Sequence, residues 1–514
     1  MLKFRKYWVP FLILLYILLN LATLTKFPLM HSDESWLSGL SRHMWVAGDY
    51  SVTEPFFDLK PRNQHALKII FHSMQILMIK AFGFNLFNIR FLSLVFGLAT
   101  LFFFYRLCLL VFPDKIWARR TCLLMGIDIQ FIYASHFGRQ EIILLWLMVF
   151  GMYYYFRNFN RHLYRHDLIL GALAGLSLGI HPNGLIFMLI LCSIYLTHIV
   201  EKKIMFRSLL VWGLSATCFI FIFIILSYRF DPNFLTNYFN YGEEQFKVLH
   251  PFIAKLSRLA GFARNILLRQ GGTYYLPDLK AQILLLSAFI LLGMTITWRS
   301  QGAVLKWIPY WLTASVMSII VGLVSIGRYN TTNIVFLVPF VYLLTGFSLA
   351  RIPEKPSRFI FPFLALALFL ITAFNIYPFL KYDYPSYLRK VATVVSPDRK
   401  VLASLNLEYG FNDGKLFDLR NLSFLKKEGI TFAEYLRKNQ IEYIIYPEGL
   451  DFIYRNRPKW NGVYGHLPYY RELRQFLRKQ CQLVSTFEEP AYGIEIPAYV
   501  GLKKWQIFIY RVLP

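Results

Sequence analysis

Residues 7–36, YWVPFLILLYILLNLATLTKFPLMHSDESW, decide how this chain is read. An apolar run over 7–25 follows the basic residues Lys3, Arg5 and Lys6, and at about 1.5 Å per helical residue it is long enough to cross a hydrocarbon core of about 30 Å. No small-residue cleavage site follows it, so it reads as a retained helix and not as a removed signal peptide. The acidic pair Asp33-Glu34 stands where the chain first leaves the membrane. Charge at the mouth of a transmembrane helix is costly unless it faces water, a cation or a substrate, which makes the pair a functional-site candidate. The plain alternative is two solvated loop carboxylates.

The rest of the chain is built from similar runs. Of its 514 residues 56% are hydrophobic and 18% aromatic, and the mean hydropathy is +0.43, more apolar than a soluble core requires. It reads as a polytopic membrane protein. The formal charge of +26 comes from 55 Lys and Arg against 29 Asp and Glu. Because the basic residues cluster between apolar spans, anionic membrane lipids are the expected partners and nucleic acid is not. Cys108, Cys122, Cys192 and Cys218 lie within or beside apolar spans and Cys481 stands alone, which implies neither a disulfide framework nor a metal site.

Eleven stretches reach or approach the length of a crossing: 7–26, 89–112, 120–137, 142–157, 168–181, 183–200, 208–229, 281–298, 305–326, 332–350 and 358–380. With the N-terminus inside, the basic clusters at 3–6, 106–120, 157–165, 202–207, 299–306 and 351–358 all face the cytoplasm, and the short outer loops hold only Arg139 and Arg328. Residues 65–82, HALKIIFHSMQILMIKAF, are not counted as a crossing, which would invert every later loop. Their Lys68, His72, Gln75 and Lys80 recur at roughly helical spacing and predict a helix lying in the headgroup plane. After 380 the apolar spans stop, and strand-like runs at 400–404, 443–446 and 506–512 with a helix-like run at 432–438 predict a small α/β domain. The expected fold is mainly α: a transmembrane bundle of about 11 helices over 1–380, with outer loops 27–88 and 230–280, and an extracytoplasmic α/β domain over 381–514.

Under this topology the awkward polar residues gather on the outer side: Asp33-Glu34, Arg139-Gln140-Glu141, His181-Pro182-Asn183 and Arg328-Tyr329-Asn330. Two carboxylate stations and at least two cations at a lipid–water boundary suit a lipid-linked anionic donor and a hydroxyl or amine acceptor. A carboxylate takes or orients the acceptor's proton while an oxocarbenium-like centre forms. A cation such as Arg328 stabilises charge growing on a phosphate leaving group, which is costly at low dielectric. Quieter roles are open to the same residues: a structural Arg139–Glu141 pair, a helix break at His181 before Pro182, and an Arg328 that snorkels to headgroups.

In order along the chain come an apolar helix, the Asp-Glu doublet, an interfacial helix, FNIRFLSLVFGLATLFFFYRL at 87–107, YASHFGRQEIILLW at 133–146 and GALAGLSLGIHPNGLIF at 171–187. This set resembles the membrane-embedded glycosyltransferases of the GT-C superfamily, in particular the dolichyl-phosphate-mannose protein mannosyltransferase and aminoarabinose transferase branch. It does so well over 7–230 and in layout beyond. The resemblance implies transfer of a sugar from a polyprenyl-phosphate carrier to a glycan, lipid or protein acceptor on the extracytoplasmic face. It implies Asp33 as the catalytic carboxylate with Glu34 as its neighbour, Glu141 as the second acidic station, and Arg139 beside it. His65, His181, Arg328 and Tyr329 complete the expected substrate-binding set. Some members hold a divalent metal between the two stations, here Asp33 and Glu141, and others work without one; Glu243, Glu244 and His250 would be further ligands by analogy, or a solvated loop.

The chain departs from the pattern where the family often shows His-Pro-Pro and this sequence has Gln64-His65-Ala66, and where the common R-x-D becomes Arg139-Gln140-Glu141. No catalytic role falls to Asp418-Leu419-Arg420 or to the tyrosines of 464–470; the outer domain is expected to cover the site and select the acceptor. A transporter or flippase of lipid-linked saccharides is the alternative, distinguished by binding groups near the midplane on broken helices. A bacterial inner or plasma membrane is the expected location.

Overall fold

A computed structural model describes residues 2–64, 68–161, 163–246, 251–269, 274–301, 309–327, 329–456, 468–493 and 502–513. The apolar runs fold as helices. In chain order these are α1 (Leu2–Thr23), α2 (Ser32–Ala47), α3 (Ile69–Phe82), α4 (Leu86–Val111), α5 (Lys115–Gly126), α6 (Ile129–His136), α7 (Glu141–Asn158), α8 (Tyr164–Ser177), α9 (Gly184–Val200), α10 (Phe206–Phe230), α11 (Phe234–Phe246), α12 (Phe252–Leu267), α13 (Lys280–Gln301), α14 (Tyr310–Ile326), α15 (Val338–Leu349) and α16 (Glu354–Ile376). Among the described residues four segments are long and apolar enough to cross a membrane: Leu86–Val111, Phe206–Phe230, Thr331–Leu349 and Glu354–Ala392. Shorter apolar helices include Gly184–Val200 and Tyr310–Ile326.

Packing explains the local sequence. The Gly171-Ala-Leu-Ala-Gly175 stretch of α8 is a small-xxx-small face. A Cβ at Gly171 would collide with the Trp212 carbonyl oxygen and one at Gly175 would come within 2.5 Å of that of Ala216, so only glycine lets α10 lie this close. The expected span 120–137 is broken between α5 and α6. Asp128 caps α6 by accepting the Phe131 amide at 2.7 Å, and its other oxygen accepts from Gln282 Nε2 at 2.5 Å and Tyr342 hydroxyl at 2.8 Å, which ties α6 to α13 and α15.

The helix expected in the headgroup plane is α3, too short at 14 residues to span a bilayer. Its polar face differs from expectation. His72 Nδ1 and Gln75 Oε1 are buried and meet Ser41 Oγ of α2 at 2.8 and 2.7 Å, while Leu77 and Phe82 are exposed. The neighbouring amphipathic helix supplies the polar partners that headgroups were expected to supply.

Beyond α16, helix α17 (Tyr384–Ala392) leads into a mixed sheet of β1 (Val401–Ala403), β2 (Leu416–Asp418), β3 (Tyr443–Pro447), β4 (Cys481–Glu488) and β5 (Gln506–Val512), in the order β2-β1-β3-β5-β4. β1 runs parallel to β2 and β3, and β5 runs antiparallel to β3 and β4. The helix read at 432–438 is Phe432–Asn439. This domain grips α2. Arg42 donates to Glu408 Oε1 at 2.5 Å and to the Phe411 carbonyl at 2.6 Å, Ser38 pairs with the Tyr409 hydroxyl at 2.8 Å, and His43 meets Asp413 at 2.6 Å. Burial pushes the Glu408 carboxyl up to about 8 against the pull of Arg42.

Candidate active site

The site is built where α2 begins. The His31 Nδ1 accepts the Asp33 amide at 3.0 Å, and the Glu34 carboxylate accepts the His31 amide at 3.1 Å, which fixes the first turn. Glu34 faces inward and is fully buried. It accepts from Arg90 Nε and Nη2 at 2.8 and 2.7 Å and from the Gly138 amide at 2.8 Å. Arg90 Nη1 donates to the carbonyls of Leu24 and Pro28, each at 2.8 Å. Read from sequence as a catalytic neighbour, Glu34 has both carboxylate oxygens taken up by Arg90, His31 and Gly138 donors within the protein. Its pair with Arg90 joins the end of α1, the start of α4 and the turn before α7. A Cβ at Gly138 would stand 2.8 Å from Ile89 Cγ2 and 3.2 Å from Glu34 Oε1, so glycine is required for that approach.

Asp33 lies about 100° around the helix from Glu34 and points the other way, with its side chain 21% exposed. Its Oδ2 accepts from Arg139 Nη1 at 2.5 Å and from the Tyr274 hydroxyl. The Tyr274 ring stacks on His31 with centroids 4.6 Å apart. The same guanidinium turns Nη2 toward Glu141 Oε1 at 3.2 Å, and Thr332 Oγ1 donates to that oxygen at 2.9 Å. Glu141 Oε2, Arg139 Nε and both amide atoms of Gln140 are buried without a hydrogen-bond partner among the described residues. Buried polar atoms are otherwise nearly always paired, so this cluster is poised for a ligand or ordered water. Asp33, Arg139 and Glu141 thus come together, from the loops that the sequence assigned to one side.

The other expected residues divide. The His181 Nδ1 accepts the Asn183 amide at 3.0 Å, the local role suggested by Pro182, and Asn183 Nδ2 donates to Asn333 Oδ1 at 2.8 Å, bracing the turn that holds Glu141. The Tyr329 hydroxyl donates to the Lys255 carbonyl at 2.6 Å and fastens α12 to the end of α14, so its polar atom goes to structure. His65, Arg328 and His250, and the side chains of Glu243 and Glu244, lie outside the described residues.

One turn on from Asp33, Trp36 opens a second cluster that sequence reading missed. Arg62 donates to Glu54 at 2.8 and 2.6 Å, and Trp36 Nε1 donates to the same carboxylate at 2.5 Å. Burial works against the Glu54 charge, but Arg62 and these hydrogen bonds hold the carboxyl below its ordinary range. Arg420 pairs with Asp418 at 2.6 Å and lies 5.3 Å from the Trp36 ring and 4.7 Å from that of Phe57. Lys60 Nζ sits over the same rings, at 4.9 and 4.8 Å. Burial first, then repulsion from Arg420 and Arg62, push the Lys60 ammonium down to about 7. Three cations converge here on two carboxylates, which leaves room for an anion. No sequence signal links residues 60 and 420, and Tyr274 carries none either. Arg90 carried one, as a basic residue just inside a span.

No family model matches the sequence, and no curated protein matches it. Solved structures do. The crystal structure of ArnT from Cupriavidus metallidurans bound to undecaprenyl phosphate superposes with a TM-score of 0.59 at 12% identity, covering 98% of this chain and 97% of that one. The Archaeoglobus fulgidus oligosaccharyltransferase matches in its apo form at 0.52 and 13% identity, over 90% of this chain and 72% of that one. The same oligosaccharyltransferase tethered to an acceptor peptide containing the NVT sequon matches at 0.50 and 12% identity, over 96% and 74%. The helical bundle with its C-terminal domain therefore shares the fold of these structures, the GT-C fold that the ordered motifs led one to expect.

Proposed function

We propose that this chain, a membrane protein with the GT-C fold, is a glycosyltransferase that moves a sugar from a polyprenyl-phosphate-linked donor to an acceptor at the extracytoplasmic face. The observation that carries the reading is the Asp33–Arg139–Glu141 bridge, capped by Tyr274, at one end of the bundle. Asp33 is the exposed member and takes the acceptor's proton as the sugar–phosphate bond opens. Arg139 holds that carboxylate ionised and oriented. The Lys60, Arg62 and Arg420 cluster, a helical turn away, receives the donor's phosphate and stabilises the leaving group. ArnT was solved with undecaprenyl phosphate and the oligosaccharyltransferase with an acceptor peptide, which supports a lipid-linked donor and a separate acceptor in general.

No step here needs a divalent metal. One guanidinium lies between the two carboxylates that would share an ion, and among the described residues no group of three or more His, Cys, Asp or Glu gathers to hold one. A transporter would place its binding groups midway along broken helices; Asp128 does stand at such a break, but its carboxylate is taken up by Phe131, Gln282 and Tyr342.

Mass spectrometry of cell-envelope glycans, glycolipids and glycoproteins from cells with and without the chain tests the assignment. One class of glycosylated product is expected to vanish without it; an unchanged profile refutes the reading. Lys60 adds a pH signature. Its charged form binds phosphate, so affinity for a polyprenyl-phosphodiester probe, whose own charge is fixed, is expected to fall as pH rises through about 7. Lys60→Met is expected to weaken binding below that pH by about tenfold or more and to flatten the profile. Equal pH dependence in both proteins would remove Lys60 from the site.

A further inference from the structure

Helix α4 meets Glu34 at Arg90 and carries Arg106 about 24 Å further along its axis, about a turn and a half before it ends at Val111. Helix α7 likewise runs from Glu141 to Arg157. At the end of the bundle away from Asp33 these two helices enclose an open groove of about 500 Å³. The Arg106 and Arg157 guanidiniums, one from each helix, lie 5.9 and 5.8 Å from the Tyr153 ring centroid, and Arg157 also donates to the Tyr153 hydroxyl. Neither arginine has a carboxylate partner among the described residues. Apart from Tyr154 and Asn158, the groove's other walls are apolar, formed by Phe102, Phe103 and Phe150, with Phe102 mostly exposed. Below them an aromatic seam continues toward the middle of the helices: Phe103 meets Phe150 at 4.8 Å, Phe150 stacks on Trp146 at 5.7 Å, and Trp146 meets Phe96 at 5.2 Å.

We propose that this groove is a binding site for an anionic phospholipid, with the phosphodiester between Arg106 and Arg157 and an acyl chain along Phe102, Phe103 and Phe150. Two unneutralised guanidiniums on an aromatic base are matched by a phosphate headgroup. The groove's position, at the last turns of an apolar helix that crosses the membrane, puts such a headgroup at the bilayer boundary. An apolar seam running inward from the charges fits a lipid tail and has no counterpart in a free phosphate ion. The lipid would hold the far end of α7, the helix that opens with Glu141, and the inference stands whether or not the chain transfers sugar.

Native mass spectrometry of the full chain in detergent, titrated with phosphatidylglycerol and separately with phosphatidylcholine, tests it. Because a strongly basic chain attracts anionic lipid at many places, the comparison is between the Arg106→Gln/Arg157→Gln protein and a control with the same charge loss at another basic cluster, Lys202→Gln/Lys203→Gln. The tightest phosphatidylglycerol is expected to bind at least about tenfold more weakly to the first and unchanged to the second, with Arg106→Lys/Arg157→Lys, which keeps the charge but not the fork, falling between native and the first. Equal loss in both charge-removed proteins would overturn the site, as would phosphatidylcholine binding as tightly as phosphatidylglycerol. Displacement by polyprenyl phosphate at equal concentration would assign the groove to a different lipid and overturn the proposal as stated.

Discussion

Asp33→Asn is expected to lower sugar transfer by about 10²–10⁴-fold, the range over which a positioned proton acceptor acts, while leaving the amount of folded, membrane-inserted protein unchanged. The amide oxygen still accepts from Arg139 and Tyr274, and Arg139 keeps Glu141 as a counter-charge, so the geometry survives. What is lost is the ability to take a proton. The measurement is product formation by the variant in cells that lack the native chain, read by mass spectrometry, together with turnover in proteoliposomes with and without a chelator of divalent ions. Full transfer by the variant would remove Asp33 from the chemistry. A chelator-sensitive rate in the native protein would restore a metal to the site and reassign the role of Arg139.

The second large effect is on folding. Arg90→Met leaves the Glu34 carboxylate buried without its bidentate partner and frees the carbonyls of Leu24 and Pro28. Removing one member of a buried ion pair costs about 3–5 kcal/mol, so the variant is expected to show a large loss of monodisperse protein in detergent and a lowered unfolding temperature. Adding Glu34→Gln removes the stranded charge, and the double variant is expected to recover much of that loss. On the proposed division, in which Glu34 positions and Asp33 reacts, its activity per folded molecule should then approach that of the native chain. A double variant as unstable as Arg90→Met, or a folded Glu34→Gln single variant as inactive as Asp33→Asn, would contradict this division of labour.

Much of this was legible in the sequence because a bilayer imposes simple rules. Apolar length located helices, and charge at the ends of apolar runs singled out Asp33, Arg139 and Glu141, which the fold brings together. The division between Asp33 and Glu34 was not legible, since adjacent residues on a helix look alike in a string yet face about 100° apart. Tyr274 lies 241 residues from Asp33, a separation that no local pattern in the string bridges. In the outer domain, β1, β3 and β5 announced themselves as apolar runs. β2 offers only Leu416 and Phe417 before the charge of Asp418, and β4 pairs with β5 at the edge of the sheet, with exposed positions that blur its alternation.

The clasp of Arg42, Ser38 and His43 on the outer domain reaches beyond stability. The helix that presents Asp33 is held by the sheet domain, and Arg420 of that domain completes the cation cluster around Trp36. Module and engine are therefore not interchangeable parts. A chimera that imports another protein's C-terminal domain will need the matching 32–62 segment with it, or the transplanted domain will rest on a surface that no longer fits.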